Sequence, residues 1–246
     1  MTESRFIWHE LLTTDLEKSA TFYRDLLGYT FEKEADDSLV LCNADGPQCS
    51  LIKIPEDLGI PSTWIGYLSV DDIDSIQRKV PQIGGNIIIP VTRSEGIPPF
   101  LMFTGPEGAA LKAVEVSGKN VAFSEKQGAV AWNELLCSNP LFSFTFLHVL
   151  TDWDREAIQQ WPSNVYHLCK QQDTPRAGIQ MLNKEILSNA HWLCYFLCDD
   201  LLASLDAVKE NGGAYITKIM ELPNFGSFCV VMDSNDAVFA LLQRDP

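Results

Sequence analysis

Basic residues are scarce in this 246-residue chain: 18 Lys and Arg stand against 33 Asp and Glu, a formal charge of −15. Nucleic acid and anionic membrane surfaces are held by clustered Lys and Arg, so both are disfavoured as partners. Long apolar runs are missing as well. The longest, Ala190 to Cys198, is interrupted by His191 and falls well short of the roughly 20 residues a membrane helix needs. Met1-Thr2-Glu3-Ser4-Arg5 leads into no apolar segment, so no signal peptide is expected. An even, dense cysteine framework is also absent. Seven cysteines scattered over a long chain read as reduced thiols of a cytoplasmic protein. What is present is a 46% hydrophobic share, ample for one or two domains with real cores.

The chain repeats itself. Ala131-Trp132-Asn133-Glu134-Leu135-Leu136 echoes Ile7-Trp8-His9-Glu10-Leu11-Leu12, a shift of 124 from Trp8 to Trp132. Further on the shift is 128: Tyr67 matches Tyr195, Asp71-Asp72 match Asp199-Asp200, and Gly84-Gly85 match Gly212-Gly213. Two domains follow, 1–116 and 130–246, joined by a polar linker over 117–129. A second symmetry lies inside each half. A shift of 57 carries Asp15 onto Asp72 and Gly28 onto Gly85, and a shift of 61 carries Asn139 onto Asp200 and Asp152 onto Gly213. Gly28, Gly85 and Asp152 then stand where a helix needs a left-handed closing residue.

Each of the four units has the same grammar. Phe6–Thr13 alternates as a strand, Asp15 serves as N-cap, and Leu16–Leu27 carries apolar residues at helical spacing. Short strands are predicted at 29–33, 38–42 and 48–54. In the second unit the order recurs as a strand at 63–70, a helix at 73–83, and strands at 86–90, 100–105 and 109–116. The pattern is β-α-β-β-β four times, an α+β fold. One helix cannot cover both faces of a four-stranded sheet, so its other face must meet another element.

These residues resemble the vicinal oxygen chelate superfamily, which holds glyoxalase I, extradiol dioxygenases, and bleomycin and fosfomycin resistance proteins. The carriers are Trp8 to Asp15, Phe22-Tyr23, Leu27-Gly28-Tyr29, Val70 to Ile73, Gly84-Gly85 and Pro106-Glu107-Gly108-Ala109. The second half repeats them as Trp132 to Leu135, Cys198 to Leu201, Gly212-Gly213 and Ser234 to Ala237. The resemblance spans nearly the whole chain and is greatest to tandem, two-domain glyoxalase-like proteins. It implies paired units forming cupped mixed sheets around ligand cavities.

In metal-using members, a His on the first strand of a unit and a Glu on the last strand bind a divalent ion. Carried onto this chain, the resemblance places those ligands at Trp8, Ile65, Trp132 and Leu193, and at Lys112 and Ala240. Apart from a neutral Lys, none of these is a usual ligand, so no metal or other cofactor is expected. If a divalent metal is bound after all, the fallback ligands are His9 and Glu115. His9 adjoins Trp8, but alternation turns it to the opposite face, as with its counterpart Asn133. Glu115, which matches Gln243, returns to the cavity only if a bulge shifts the last strand. His148, His167 and His191 have no partners at ligand spacing. Cys194-x-x-x-Cys198 is not the spacing of a zinc knuckle.

Glu10 and Glu134 lie two residues beyond the tryptophans on the same face, and Tyr67 and Tyr195 hold the matching places in the partner units. Each cavity is thus expected to be lined by a Trp, a Glu and a Tyr beside Leu12 or Leu136. Lys112 contacts an anionic ligand or reaches solvent. A buried carboxylate can act as general acid or base, and a Tyr can donate to a developing oxyanion. The structural reading, a Glu satisfied by the Tyr hydroxyl, takes precedence. The expected function is small-molecule binding in a metal-free cavity, by a monomeric pseudo-dimer or a homodimer. Ligand-binding candidates are Trp8, Tyr67, Lys112, Trp132 and Tyr195. The alternatives are a lyase or dioxygenase, metal-dependent or using Glu10 as base, and a non-catalytic scaffold whose cavities are filled by its own side chains.

Overall fold

A computed structural model describes residues 3–116, 125–160, 164–184, 189–222 and 225–245. Most of the expected linker, 117–124, lies outside the described residues. The first repeat is β1 (Phe6–Thr13), α1 (Leu16–Leu27), β2 (Thr30–Ala35), β3 (Ser38–Asn43) and β4 (Gly46–Lys53). After a 3-10 turn at Glu56–Leu58, the second is β5 (Thr63–Val70), α2 (Ile73–Gln82), β6 (Asn86–Ser94), β7 (Ile97–Thr104) and β8 (Ala110–Glu115). The third is β9 (Val130–Cys137), α3 (Pro140–Thr151), β10 (Asp154–Gln160), β11 (Asn164–Gln171) and β12 (Thr174–Met181). The fourth is β13 (His191–Leu197), α4 (Leu201–Glu210), β14 (Ala214–Tyr215), β15 (Met220–Leu222), β16 (Gly226–Met232) and β17 (Val238–Arg244). Its second strand is broken in two, and both pieces pair with β16.

The first two repeats give an eight-stranded sheet ordered β2-β3-β4-β1-β5-β8-β7-β6. The last two give β10-β11-β12-β9-β13-β17-β16-β14, with β15 also on β16. The two orders correspond strand for strand. In every repeat the first strand runs parallel to the last, and the other pairs are antiparallel. The α+β architecture of two glyoxalase-like sheets is therefore the one that the internal symmetry predicts.

Among the described residues, all four helices start on the same device. Asp15 accepts from the Lys18 amide at 3.1 Å, Asp72 from Ser75 at 2.8 Å, Asn139 from Phe142 at 3.2 Å and Asp200 from Ala203 at 3.0 Å. Gly28 (φ 71°) and Asp152 (φ 56°) close α1 and α3 in the left-handed region, as the sequence predicts. Gly85 departs from that expectation. The left-handed residue after α2 is Gly84 (φ 91°), whereas Gly85 is needed for space, since a Cβ there would meet the Thr104 carbonyl at 2.7 Å.

The chain packs as two compact units that cut across the sheets: one gathers repeats two and three with the start of the chain, the other repeats one and four. In the first unit, Ile73, Ile76 and Val80 of α2 share one core with Phe146, Leu147 and Leu150 of α3. Phe103 and Leu111 of one half-sheet join it, as do Leu135, Cys169 and Ile179 of the other. In the second unit, Phe22, Tyr23 and Leu26 of α1 share a core with Leu201, Leu205 and Val208 of α4. This answers the covering problem: each helix has one face for its own half-sheet and another for a second helix. Matching polar ties reinforce both units. Glu107 accepts from the amides of Ser138 (2.6 Å) and Asn139 (2.9 Å) at the start of α3. Asn235, its match at a shift of 128, donates to Thr13, Ser19 and the Asp15 carbonyl at the start of α1. Among the described residues no helix is long and apolar enough to cross a membrane.

Candidate functional site

Strand alternation decides which side chains share the sheet face away from the cores. Leu11 and Leu135 belong to the cores, so Glu10 and Glu134 turn to the other face. Both are buried, 7% and 3% exposed. Their registers agree: Glu10 stands beside Ser50 on β4, and Glu134 beside Gly178 on β12. Trp8 and Trp132 lie two residues earlier on the same face and are half-buried.

On the second repeat, Tyr67 of β5 pairs directly with Lys112 of β8. The Lys112 ammonium donates to the Tyr67 hydroxyl at 2.6 Å. It lies 4.5 Å from the centroid of the Tyr67 ring and 5.1 Å from that of Phe100. Lys112 is thus folded over an aromatic wall as a cation–π contact. The equivalent place in the fourth repeat is apolar: Tyr195 pairs with Ala240, and its ring lies 5.3 Å from Phe228.

On the third repeat the arrangement is polar and closed. The Trp132 indole donates to the Tyr166 hydroxyl at 2.8 Å, and Gln180 donates to the Glu134 carboxylate at 2.9 Å. Burial pushes the Tyr166 phenol up, and the charge and hydrogen bond of Glu134 push it further, so it stays neutral. Tyr166 and Gln180 are absent from the sequence reading. By the shift of 128 they match Ser38 and Ile52, so the internal repeat gives no echo of them. The available signal was Gly178 inside a strand, a mark of close approach by another group.

The six positions that the resemblance assigns to metal ligands do not fit a divalent ion. Ile65, Leu193 and Ala240 are buried hydrocarbon. Trp8 and Trp132 carry no donor of the needed kind, and Lys112 brings a positive charge to the Glu position. The fallback residues do not supply a site either. His9 is buried on the face of Leu11 and Thr13, away from Glu10. Glu115 does not return to the cavity: β5 and β8 pair without a register shift, and its carboxylate accepts from the Ile73 amide at 2.9 Å. Among the described residues no three His, Cys, Asp or Glu side chains gather as a metal site would require. The other histidines are tied locally. His148 meets the Trp153 carbonyl at 2.7 Å, His167 meets Arg155 at 2.9 Å, and His191 meets the Asn189 carbonyl at 2.8 Å.

Residues 5–39 match the family model for the bleomycin resistance protein-like N-terminal region. CFP32 of Mycobacterium tuberculosis, a glyoxylase by name, is 26% identical over 97% of this chain and 94% of its own length. The anthracycline biosynthesis protein DauV of Streptomyces sp. strain C5 is 24% identical over 96% of this chain and 92% of its own. Among solved structures, 2,2',3-trihydroxybiphenyl 1,2-dioxygenase from Sphingomonas wittichii RW1 superposes with a TM-score of 0.68 at 12% identity. It covers 98% of this chain and 91% of that one. The Mn(II)-bound glyoxalase from Novosphingobium aromaticivorans gives 0.64 at 13% identity, covering 98% and 83%. The structural likenesses show the fold. Full-length relatives, the N-terminal family match and the fourfold β-α-β-β-β repeat agree in supporting the vicinal oxygen chelate superfamily, with the layout of a tandem glyoxalase-like protein.

Proposed function

We propose that the protein binds a small organic molecule, without a metal, against the wall formed by Tyr67, Lys112 and Phe100. One observation carries this reading. The last-strand position that metal-using relatives give to a Glu holds Lys112, and its ammonium lies on a phenol and across two rings. An ammonium repels the cation that a carboxylate would hold, while aromatic faces and a polarised hydroxyl suit a planar organic ligand. The Streptomyces relative, named for anthracycline biosynthesis, supports a role with a small organic molecule. The seven cysteines are free and buried, which fits a reducing compartment such as the cytoplasm.

A thermal-shift screen of small aromatic compounds, repeated on Lys112→Met, tests the reading. A compound that stabilises the native protein and loses most of that effect in the variant supports it. Stabilisation that is equal in both proteins sinks it. The second reading is an enzyme, a lyase or dioxygenase of the same superfamily, with Glu10 as the general base. Its burial, 7% exposed, favours this reading over a solvated carboxylate. Turnover abolished by Glu10→Gln at unchanged melting temperature would move the enzyme reading ahead.

A further inference from the structure

Tyr166 occupies an unusual place for a strand residue. A Cβ built on Gly178 would meet its hydroxyl oxygen at 1.7 Å and the adjoining ring carbon at 2.3 Å. The phenol end therefore rests directly on the bare backbone of β12, beside Glu134 in the register. Its hydroxyl accepts from the Trp132 indole at 2.8 Å, stays protonated and is hydrogen-bonded to the Glu134 carboxylate. Gln180, donating to Glu134 at 2.9 Å, holds that carboxylate in place. Indole donor, carboxylate acceptor and a strand without a side chain are what a phenol needs, since a hydroxyl both donates and accepts. Nothing in the fold requires such an occupant. In the first half the matching residues are Ser38 (166 − 128), Ser50 (178 − 128) and Ile52 (180 − 128), and no ring comes from that strand.

We propose that Trp132, Glu134 and Gly178 form a phenol-recognition site that the chain fills itself with Tyr166. The second half then carries a ligand site closed in cis, and a free phenol enters only when the internal ring is removed. Removal of this half-buried ring, packed on bare backbone, leaves a space that a molecule of the same shape refills. The inference does not depend on whether the first half binds a ligand.

The test uses the full chain with Tyr166→Gly and p-cresol, which is the tyrosine side chain as a free molecule. Toluene serves as the same shape without the hydroxyl, and the wild type corrects for binding elsewhere. Tyr166→Gly is expected to melt on the order of 5–10 °C lower than wild type. Millimolar p-cresol should restore several degrees more than it adds to wild type, and toluene much less. Adding Trp132→Phe should weaken the p-cresol affinity, measured by calorimetry, at least about tenfold. Equal rescue by toluene and p-cresol, or no rescue beyond the wild-type response, overturns the proposal. Should Tyr166→Gly not fold, Tyr166→Phe keeps the ring and removes only the hydroxyl. A melting temperature clearly below wild type supports recognition of the hydroxyl, and an unchanged one refutes it.

Discussion

Glu115 and Gln243 perform one task at equivalent ends of the two sheets. The Glu115 carboxylate accepts from the first amide of α2, at Ile73, over 2.9 Å, and the Gln243 carboxamide oxygen accepts from the first amide of α4, at Leu201, over 2.8 Å. One is charged and the other neutral, so it is the acceptor rather than the charge that the position needs.

Glu115→Gln should therefore be nearly neutral, within about 0.5 kcal/mol, because the protein already uses the amide in its fourth repeat. Glu115→Ala orphans an amide at the start of α2 and should cost about 1–2 kcal/mol. Urea unfolding of the two variants checks this. If Gln and Ala were equally damaging, the capping role would be wrong.

Stability should fall on acidification in two steps. Burial, with the Arg155 charge beside it, holds His167 below the usual histidine range. The unfolded chain then binds the extra proton first, so full stability is present above about pH 6.5 and declines as pH falls from there. Glu107 acts lower. Burial pulls its pKa up, but the bonds from Asn139, Ser138 and Ser143 outweigh this and leave it below the ordinary value. Its contribution is present above about pH 4.5 and is lost as pH falls through the folded value. Melting temperatures across pH 3–8 should show the first decline shrink in His167→Gln, the remainder following His191, which burial also depresses, and the second shrink in Glu107→Gln.

Much of the fold was legible from the repeat alone. Asp15, Asp72, Asn139 and Asp200 recur at fixed shifts because every unit needs the same N-cap, and the strand order follows from the unit. Packing was less legible. That α2 shares a core with α3, and α1 with α4, is a long-range matter that no local pattern encodes. Nor did alternation reveal Tyr166, since its role comes from contact with Gly178 on the neighbouring strand, and neither residue has an echo in the first half. The pair Gly84 and Gly85 shows the finer limit: the sequence marks two glycines, but only coordinates separate left-handed φ from close approach.

Lys112→Met should remove the hydrogen bond to Tyr67 and the contact with two rings while keeping the length of the stem. A loss of about 1–2 kcal/mol is expected. Lys112→Arg should not fully rescue it, because a planar fork cannot reproduce a compact ammonium on the Tyr67 oxygen. Chemical denaturation of the three proteins decides this. Full rescue by Arg would show that charge alone, rather than the geometry at Tyr67, is what matters.

That this chain uses the fold without a metal is a proposal with a direct test. Elemental analysis of the full chain, purified without chelator and again after incubation with excess Mn²⁺ and removal of unbound ion, tests it most directly. The account predicts well under one equivalent of any transition metal per chain, and a melting temperature unaffected by chelator. About one equivalent per half, lost on substitution of His9 or Glu115, would contradict it.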